Sequence, residues 1–199
     1  DILMKEGNIV KAVNFLQDCL QKMMDEQYPL EKLIITKSLR SNYKNPKQIA
    51  HKVLADRIAK RDPGNKPSSG DRIPFVYIHN PSKKALQGER IETPTYIIEN
   101  NIKPNYSFYI TNQIMKPVQQ LFALVLEKIW LQKKQATKMR NFKREVEKMR
   151  KEVEEEKYHK KREDMRNKEV KKLLFDEYLT KIDMKNRKEQ DITKFFMRR

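Results

Sequence analysis

A single cysteine, Cys19, stands among the 199 residues. That excludes an internal disulfide and any four-cysteine zinc site within the chain, and a lone thiol suits a reducing compartment. No apolar run approaches the roughly 20 residues needed to cross a bilayer, and nothing at the start has the form of a signal peptide. The reading is a soluble intracellular protein with no membrane partner. The three histidines, His51, His79 and His159, are far apart and have no cysteine or histidine partner at metal-ligand spacing. Gly64 to Gly70 is not a phosphate-cradling P-loop, because Gly70 is followed by Asp71-Arg72 rather than Lys and Ser or Thr. The carboxylates fall in helical charge runs, not in a pattern that would hold two metal ions about 4 Å apart. No catalytic residue and no metal ligand is therefore assigned to this chain.

What the sequence has in excess is positive charge. Forty-four lysines and arginines against 27 aspartates and glutamates leave a formal net charge of +17. Such a balance points to a polyanionic partner or an acidic protein surface, and does not choose between them. Both the part before Trp130 and the part after it carry the excess, so one charged tail does not explain it. The length is enough for one sizeable domain with a real core plus an extension.

The chain is organised around Leu33 to Ile78, which reads as strand, helix, loop, strand. Leu33 to Thr36 is a short β-branched apolar run that ends at Lys37-Ser38. From Pro46 a helix is predicted, with Ile49, Val53, Leu54 and Ile58 at helical spacing and His51, Lys52, Arg57, Lys60 and Arg61 on other faces. Asp62-Pro63-Gly64 ends it, and Asn65 to Gly70 is loop. Ile73 to Ile78 alternates as a second strand. If the two strands are antiparallel neighbours, Thr36-Lys37 and Asp71-Arg72 share one edge of the sheet. The helix is expected to add Lys60 and Arg61 from its C-terminal end, where cations suit the helix dipole, and the loop to add Lys66. Two readings of that rim stand: a phosphate-gripping surface or an ordinary solvated charged edge.

Upstream, Asn8 is placed to cap a helix whose stripe is Ile9, Val13, Leu16, Leu20, Met23 and Met24, with Cys19 beside it as an inert, buried thiol. Pro29 closes that helix. Downstream, His79 to Gln87 reads as a surface loop, and Tyr96-Ile97-Ile98, after the break at Pro94, as a short strand or packed loop. Asn105 is placed to cap a helix from Tyr106. Pro117 predicts a kink or a fresh start, followed by one helix burying Val118, Leu121, Phe122, Val125, Leu126 and Ile129. The aromatics Tyr106, Phe108 and Tyr109 read as core. After Trp130 the chain has no Gly or Pro and becomes a Lys/Glu/Arg run. Met139, Phe142, Val146, Met149 and Val153 form a coiled-coil-like seam of about two heptads. The plainer reading is a solvated helix supported by pairs such as Glu147 with Lys151. Val170, Leu173, Leu174, Tyr178 and Ile182 form an amphipathic cluster able to fold back on the preceding domain or on a part of the protein outside this chain. The fold class is α+β, predominantly helical, with a small antiparallel sheet and a long charged helical extension.

Several strings in fixed order, I-T-K-S-L-R, I-A-H-K-V-L-A, K-R-D-P-G-N-K-P, G-D-R-I-P-F-V-Y-I, E-T-P-T-Y-I-I-E-N-N and Y-S-F-Y-I-T-N-Q-I-M-K-P, resemble the C-terminal thumb region of family B DNA-directed DNA polymerases. The likeness is to the delta-type enzymes of eukaryotes and their large DNA viruses, and it covers residues 1 to about 130. It implies a thumb domain at 1–130, a charged helical extension at 131–188 and a terminal tail at 189–199, all forming a C-terminal piece of a longer viral polymerase. The cellular delta-type enzymes carry a C-terminal cysteine-rich metal module, which this chain lacks.

The resemblance further implies a partner, double-stranded primer-template DNA gripped through its backbone by Lys37, Arg40, Tyr43, Lys44, Lys60, Arg61, Lys66 and Arg72. His51 is a second-rank candidate. Catalysis and its magnesium ions would belong to palm motifs that do not occur here, so this piece alone is expected to be inactive. The site of action would be the host nucleus or a cytoplasmic virus factory. Ile192, Phe195 and Phe196 resemble a sliding-clamp-binding box, though Glu189 stands where the box has glutamine. Two other classes remain open: a free-standing basic nucleic-acid-binding module, and a coiled-coil adaptor acting through Leu131 to Lys188.

Overall fold

The computed structural model describes residues 2–196 apart from Pro81 and Lys83, and the side chains of these except Asn186 and residues 189–196. In chain order the elements are α1 (Ile9–Met24), β1 (Ile35–Ser38), α2 (Ala50–Arg61), β2 (Arg72–Tyr77), β3 (Ile91–Glu92), α3 (Pro94–Glu99) and the single turn α4 (Tyr106–Phe108). A π-helical segment, Tyr109–Ile114, leads into α5 (Met115–Ala123), α6 (Leu126–Gln132), α7 (Ala136–Glu152), α8 (Glu155–Leu174) and α9 (Asp176–Phe196). The fold is α+β and mainly helical, with one small antiparallel sheet, as the sequence implies. The chain divides into two compact units, Glu26–Tyr109 and a second made of Asp1–Asp25 with Ile110–Arg199.

In the unit Glu26–Tyr109 the strands lie in the order β1-β2-β3. Ile35 pairs with Phe75, Lys37 with Ile73 and Ser38 with Arg72, while Val76 pairs with Glu92 and Tyr77 with Ile91. Opposed residues share a face and neighbours alternate, so Ile35, Ile73 and Phe75 turn toward Leu54, Ala55 and Ile58 of α2 and build the core with Leu39 and Ile91. The first strand begins two residues later than its apolar run predicts. Leu33, 1% exposed, instead closes a 3-10 turn at Leu30–Leu33.

The expectation of a strand or loop at Tyr96–Ile98 is wrong, because this is α3. Pro94 occupies the first helical position, where its missing N–H costs nothing, and Thr93 Oγ1 accepts the Tyr96 N–H at 3.3 Å. A Thr-Pro pair starts a helix here. Gly88 packs against α2 so closely that an added Cβ would lie 2.6 Å from that of Val53.

In the other unit Asn8 caps α1 as predicted, its Oδ1 accepting the Lys11 N–H at 2.9 Å. Ile9, Val13, Leu16, Leu20 and Met23 are buried. Cys19 is half-buried, and burial first, then Asp18, pushes its thiol pKa up, which disfavours the thiolate. The single helix predicted across Val118 to Ile129 is broken at Leu124-Val125 into α5 and α6, with no proline or glycine to mark the break. Leu124 is exposed there, while Leu126, Ile129 and Trp130 are buried.

The charged run after Trp130 is three helices rather than one. Val153, counted in the predicted seam, has extended backbone and ends α7. Phe142 of that seam is buried and meets Trp130 edge-on at 5.3 Å. The ion pair formed at the end of α7 is Lys148 with Glu152, not Glu147 with Lys151. The predicted fold-back occurs: Val170, Leu174, Tyr178 and Ile182 are buried, and Tyr178 Oη donates to the Gln17 carbonyl of α1 at 3.3 Å. Gln119 of α5 donates to the Asn167 carbonyl of α8.

Candidate nucleic-acid interface

The end of the sheet where β1 leaves and β2 begins is closed by two backbone hydrogen bonds, Gly70 N–H to the Leu39 carbonyl and Leu39 N–H to the Asp71 carbonyl, both 2.8 Å. Gly70, at φ +96°, permits the turn. The exposed Asp71 carboxylate accepts the Ser68 N–H at 2.7 Å. Lys37, Arg40 and Arg72 are exposed around this closure.

On the α2 side of the sheet a small network fixes the loop after β1. The Arg40 N–H donates to Tyr43 Oη at 2.7 Å, and Tyr43 Oη lies 3.0 Å from His51 Nε2, the two rings meeting edge-on at 5.8 Å. Burial, then Lys37, then Arg40 push the His51 pKa down, against a hydrogen bond to the Ser38 backbone that favours the charged ring. The ring is thus neutral at neutral pH. Tyr43 Oη accepts the Arg40 N–H, so its own proton is free for His51 Nε2. His51 therefore positions, and the charge comes from Lys37 and Arg40. Sequence reading ranks His51 second because nothing in its spacing connects it to Tyr43, eight positions away across a 3-10 turn at Pro46–Gln48.

Lys60 and Arg61 are not gathered at this end. His51 is near the start of α2, so it is the N-terminal end of the helix that adjoins the rim. Lys60 and Arg61 lie at the other end, about 14 Å along the axis at 1.5 Å per residue. The expectation that they join the rim does not hold. The sheet gives the same answer, for Arg61 Nη2 donates to Glu92 at 2.9 Å, and Glu92 opposes Val76, well along β2 from Arg72. Arg61 also covers the Tyr96 ring at 3.6 Å.

Arg57 joins Arg61 on that carboxylate. Its Nε is 3.2 Å from Glu92 Oε2, and it donates to the carbonyls of Gly88 and Ile91. Glu92, 3% exposed, is thus the hub of an internal clamp between α2 and β3. Periodicity could not find it, since a lone charge in a two-residue strand has no pattern. The pleat separates two more candidates: Lys37 shares the Ile73 face, and Arg72, opposite Ser38, is on the other. Lys44 and Lys66 are exposed in the loops flanking α2, and Lys60 is exposed near its end.

Among the described residues, no three metal-ligating side chains converge. The backbone of Ile192, Phe195 and Phe196 is the last turn of α9, and their side chains lie outside the described residues. Among the described residues, no helix is long and apolar enough to cross a membrane.

The model of DNA polymerase family B matches residues 2–126. This chain belongs to that family. A DNA polymerase of Pyramimonas orientalis virus is 44% identical over 200 residues, 98% of this chain and 16% of that protein. The DNA polymerase of Acanthamoeba polyphaga mimivirus is 48% identical over 132 residues, 64% of this chain and 8% of its own. The DNA polymerase delta catalytic subunit of Candida albicans is 32% identical over 126 residues, 63% of this chain and 12% of its own. The chain thus spans a sixth or less of each of these relatives. Both the delta-type likeness and the likeness to large viruses read from the motifs are present among them.

Proposed function

We propose that this chain is the thumb and C-terminal extension of a viral replicative DNA polymerase, and that it holds primer-template duplex by its sugar-phosphate backbone. Nucleotidyl transfer and its magnesium ions belong, in this reading, to palm residues outside this chain. The observation that carries the proposal is the ordered cluster of Lys37, Arg40, Tyr43 and His51 in a chain of this family. A neutral imidazole and a shared hydroxyl fix the loop, so two exposed cations are presented to phosphate at reduced entropic cost. Lys44, Arg72, Lys66 and Lys60 are further phosphate partners along the strand path, and Arg61 is held back by Glu92. The terminal Ile192, Phe195 and Phe196 are proposed to plug a sliding clamp, as three apolar side chains on one helical turn can.

The test uses the complete polymerase. Lys37→Ala with Arg40→Ala should shorten the product run and lower the salt slope of duplex binding by about two units, near 0.9 for each phosphate that is no longer neutralised. Phe195→Ala should leave that slope alone and remove stimulation by the cognate clamp. Wild-type processivity and slope in the double variant would overturn the grip, and intact clamp stimulation in Phe195→Ala would overturn the plug.

A further inference from the structure

The helix α7 carries charge that the proposed grip does not use. Its apolar seam, Met139, Phe142, Val146 and Met149, is turned inward, with Phe142 buried against Trp130. At 100° per residue the opposite side of the helix presents Arg140, Arg144, Lys148 and Lys151, all exposed. In a helix whose charges serve only solubility, each cation has a carboxylate one turn away. Such pairs form in α8 and α9, Lys172 with Glu169 at 2.6 Å and Lys181 with Glu177 at 2.7 Å, although Arg162 and Lys171 of α8 have no acidic residue three or four positions away. Along the exposed face of α7 they are sparse. Lys148 has Glu152 at 3.8 Å, but among the described residues Arg140, Arg144 and Lys151 have no carboxylate within ion-pair distance. Arg140 has no acidic residue three or four positions away on either side.

We propose that this stripe of α7 is a second binding surface for the phosphate backbone of duplex DNA, beyond the region that the family model covers. Arg140 to Lys151 spans about 16 Å of helix axis at 1.5 Å per residue. One strand of B-form duplex places a phosphate about every 3.4 Å of its axis, so the stripe lies along roughly five phosphates. Two of the four cations are arginines, whose guanidinium fork matches phosphate oxygens two at a time. A polyanion with regular spacing fits a row of cations along one helix face better than an acidic protein patch, which would meet them with carboxylates of its own spacing. The family match ends at residue 126, whereas the Pyramimonas orientalis virus polymerase aligns over 98% of this chain. The stripe thus lies beyond the residues that the family model matches.

The inference rests on reading the chain as a DNA-binding part of a polymerase, and one titration separates the two. Binding of the 199-residue chain to a labelled duplex is followed by anisotropy from low to moderate salt, with helicity checked by circular dichroism. Arg140→Gln, Arg144→Gln and Lys151→Gln together should flatten the salt slope by about two to three units. Glu147→Gln, which removes the acid flanking the stripe, should tighten binding several-fold, an effect that damage to the fold does not imitate. An unchanged slope in the triple variant at native helicity overturns the stripe and leaves the grip at Lys37 and Arg40 standing. A triple variant that loses polyglutamate binding but keeps duplex binding assigns α7 to an acidic protein and likewise overturns it. Failure of the unmodified chain to bind duplex at low salt would instead count against the proposed function itself.

Discussion

Tyr109 shows how much one hydroxyl can hold. It is 4% exposed, accepts the Tyr77 N–H at 2.9 Å and donates to the Leu33 carbonyl at 2.7 Å, so it joins the central strand to the turn before β1. Burial pushes its pKa up to about 12, against the Tyr77 backbone bond, which lowers it. The unfolded chain releases that proton near pH 10 and the folded one near 12. Its contribution is therefore fully present below pH 10 and is lost as pH rises between the two, at up to about 1.4 kcal/mol per unit. Tyr109→Phe should cost about 1–3 kcal/mol at pH 8, because a buried N–H and a buried carbonyl lose their partner. It should also remove part of the alkaline decline. Urea unfolding of both proteins at pH 8, 10 and 11 measures this, and a stability gap that stays constant with pH would show that the phenol ionises freely in the fold. The aromatic run around Tyr109 is legible as core from its apolar spacing; its two bonding partners, 76 and 32 positions away, are not.

At the scale of elements, the sequence reports pattern well and pairing poorly. The end of α2 at Asp62-Pro63 and the cap at Asn8 are legible because each is a local steric or hydrogen-bonding rule. The Thr93-Pro94 start of α3 is equally local, and escapes a reading that treats proline only as a breaker. The rim is half legible. The two runs mark β1 and β2 as strands, but their register, and which end of α2 returns to that edge, depend on the path of the loop 62–71, which periodicity does not encode. The same ignorance hides the Glu92 clamp and with it the fate of Arg61. Glu92→Ala should therefore cost about 2–4 kcal/mol, less than for a fully buried pair, because Arg57 and Arg61 keep partial access to water. Arg61→Gln should lower the melting temperature while leaving the salt slope of duplex binding unchanged. A slope that falls by about one unit in Arg61→Gln would mean that the guanidinium leaves Glu92 for phosphate.

For the whole molecule, a net charge of +17 acts in two opposed ways that salt can separate. Like charges spread over 199 residues repel one another in the compact state, and that repulsion is relaxed when the screening length falls to about 10 Å or less. The exposed pairs that salt also weakens, such as Lys11 with Glu6 and Lys181 with Glu177, return little when screened, since surface pairs contribute about 0–1 kcal/mol each. The buried Glu92 clamp is shielded from screening by its own burial. Repulsion is thus the larger salt-sensitive quantity, and moderate sodium chloride should raise the melting temperature of the free chain. Duplex affinity must move the other way, because each phosphate is engaged by displacing a counterion. The same additions of salt, followed by calorimetry on the free protein and by anisotropy on its complex with duplex, should therefore give slopes of opposite sign. A melting temperature that falls with salt would place the stability of this chain in its ion pairs and contradict the view that its cations are kept for a polyanion.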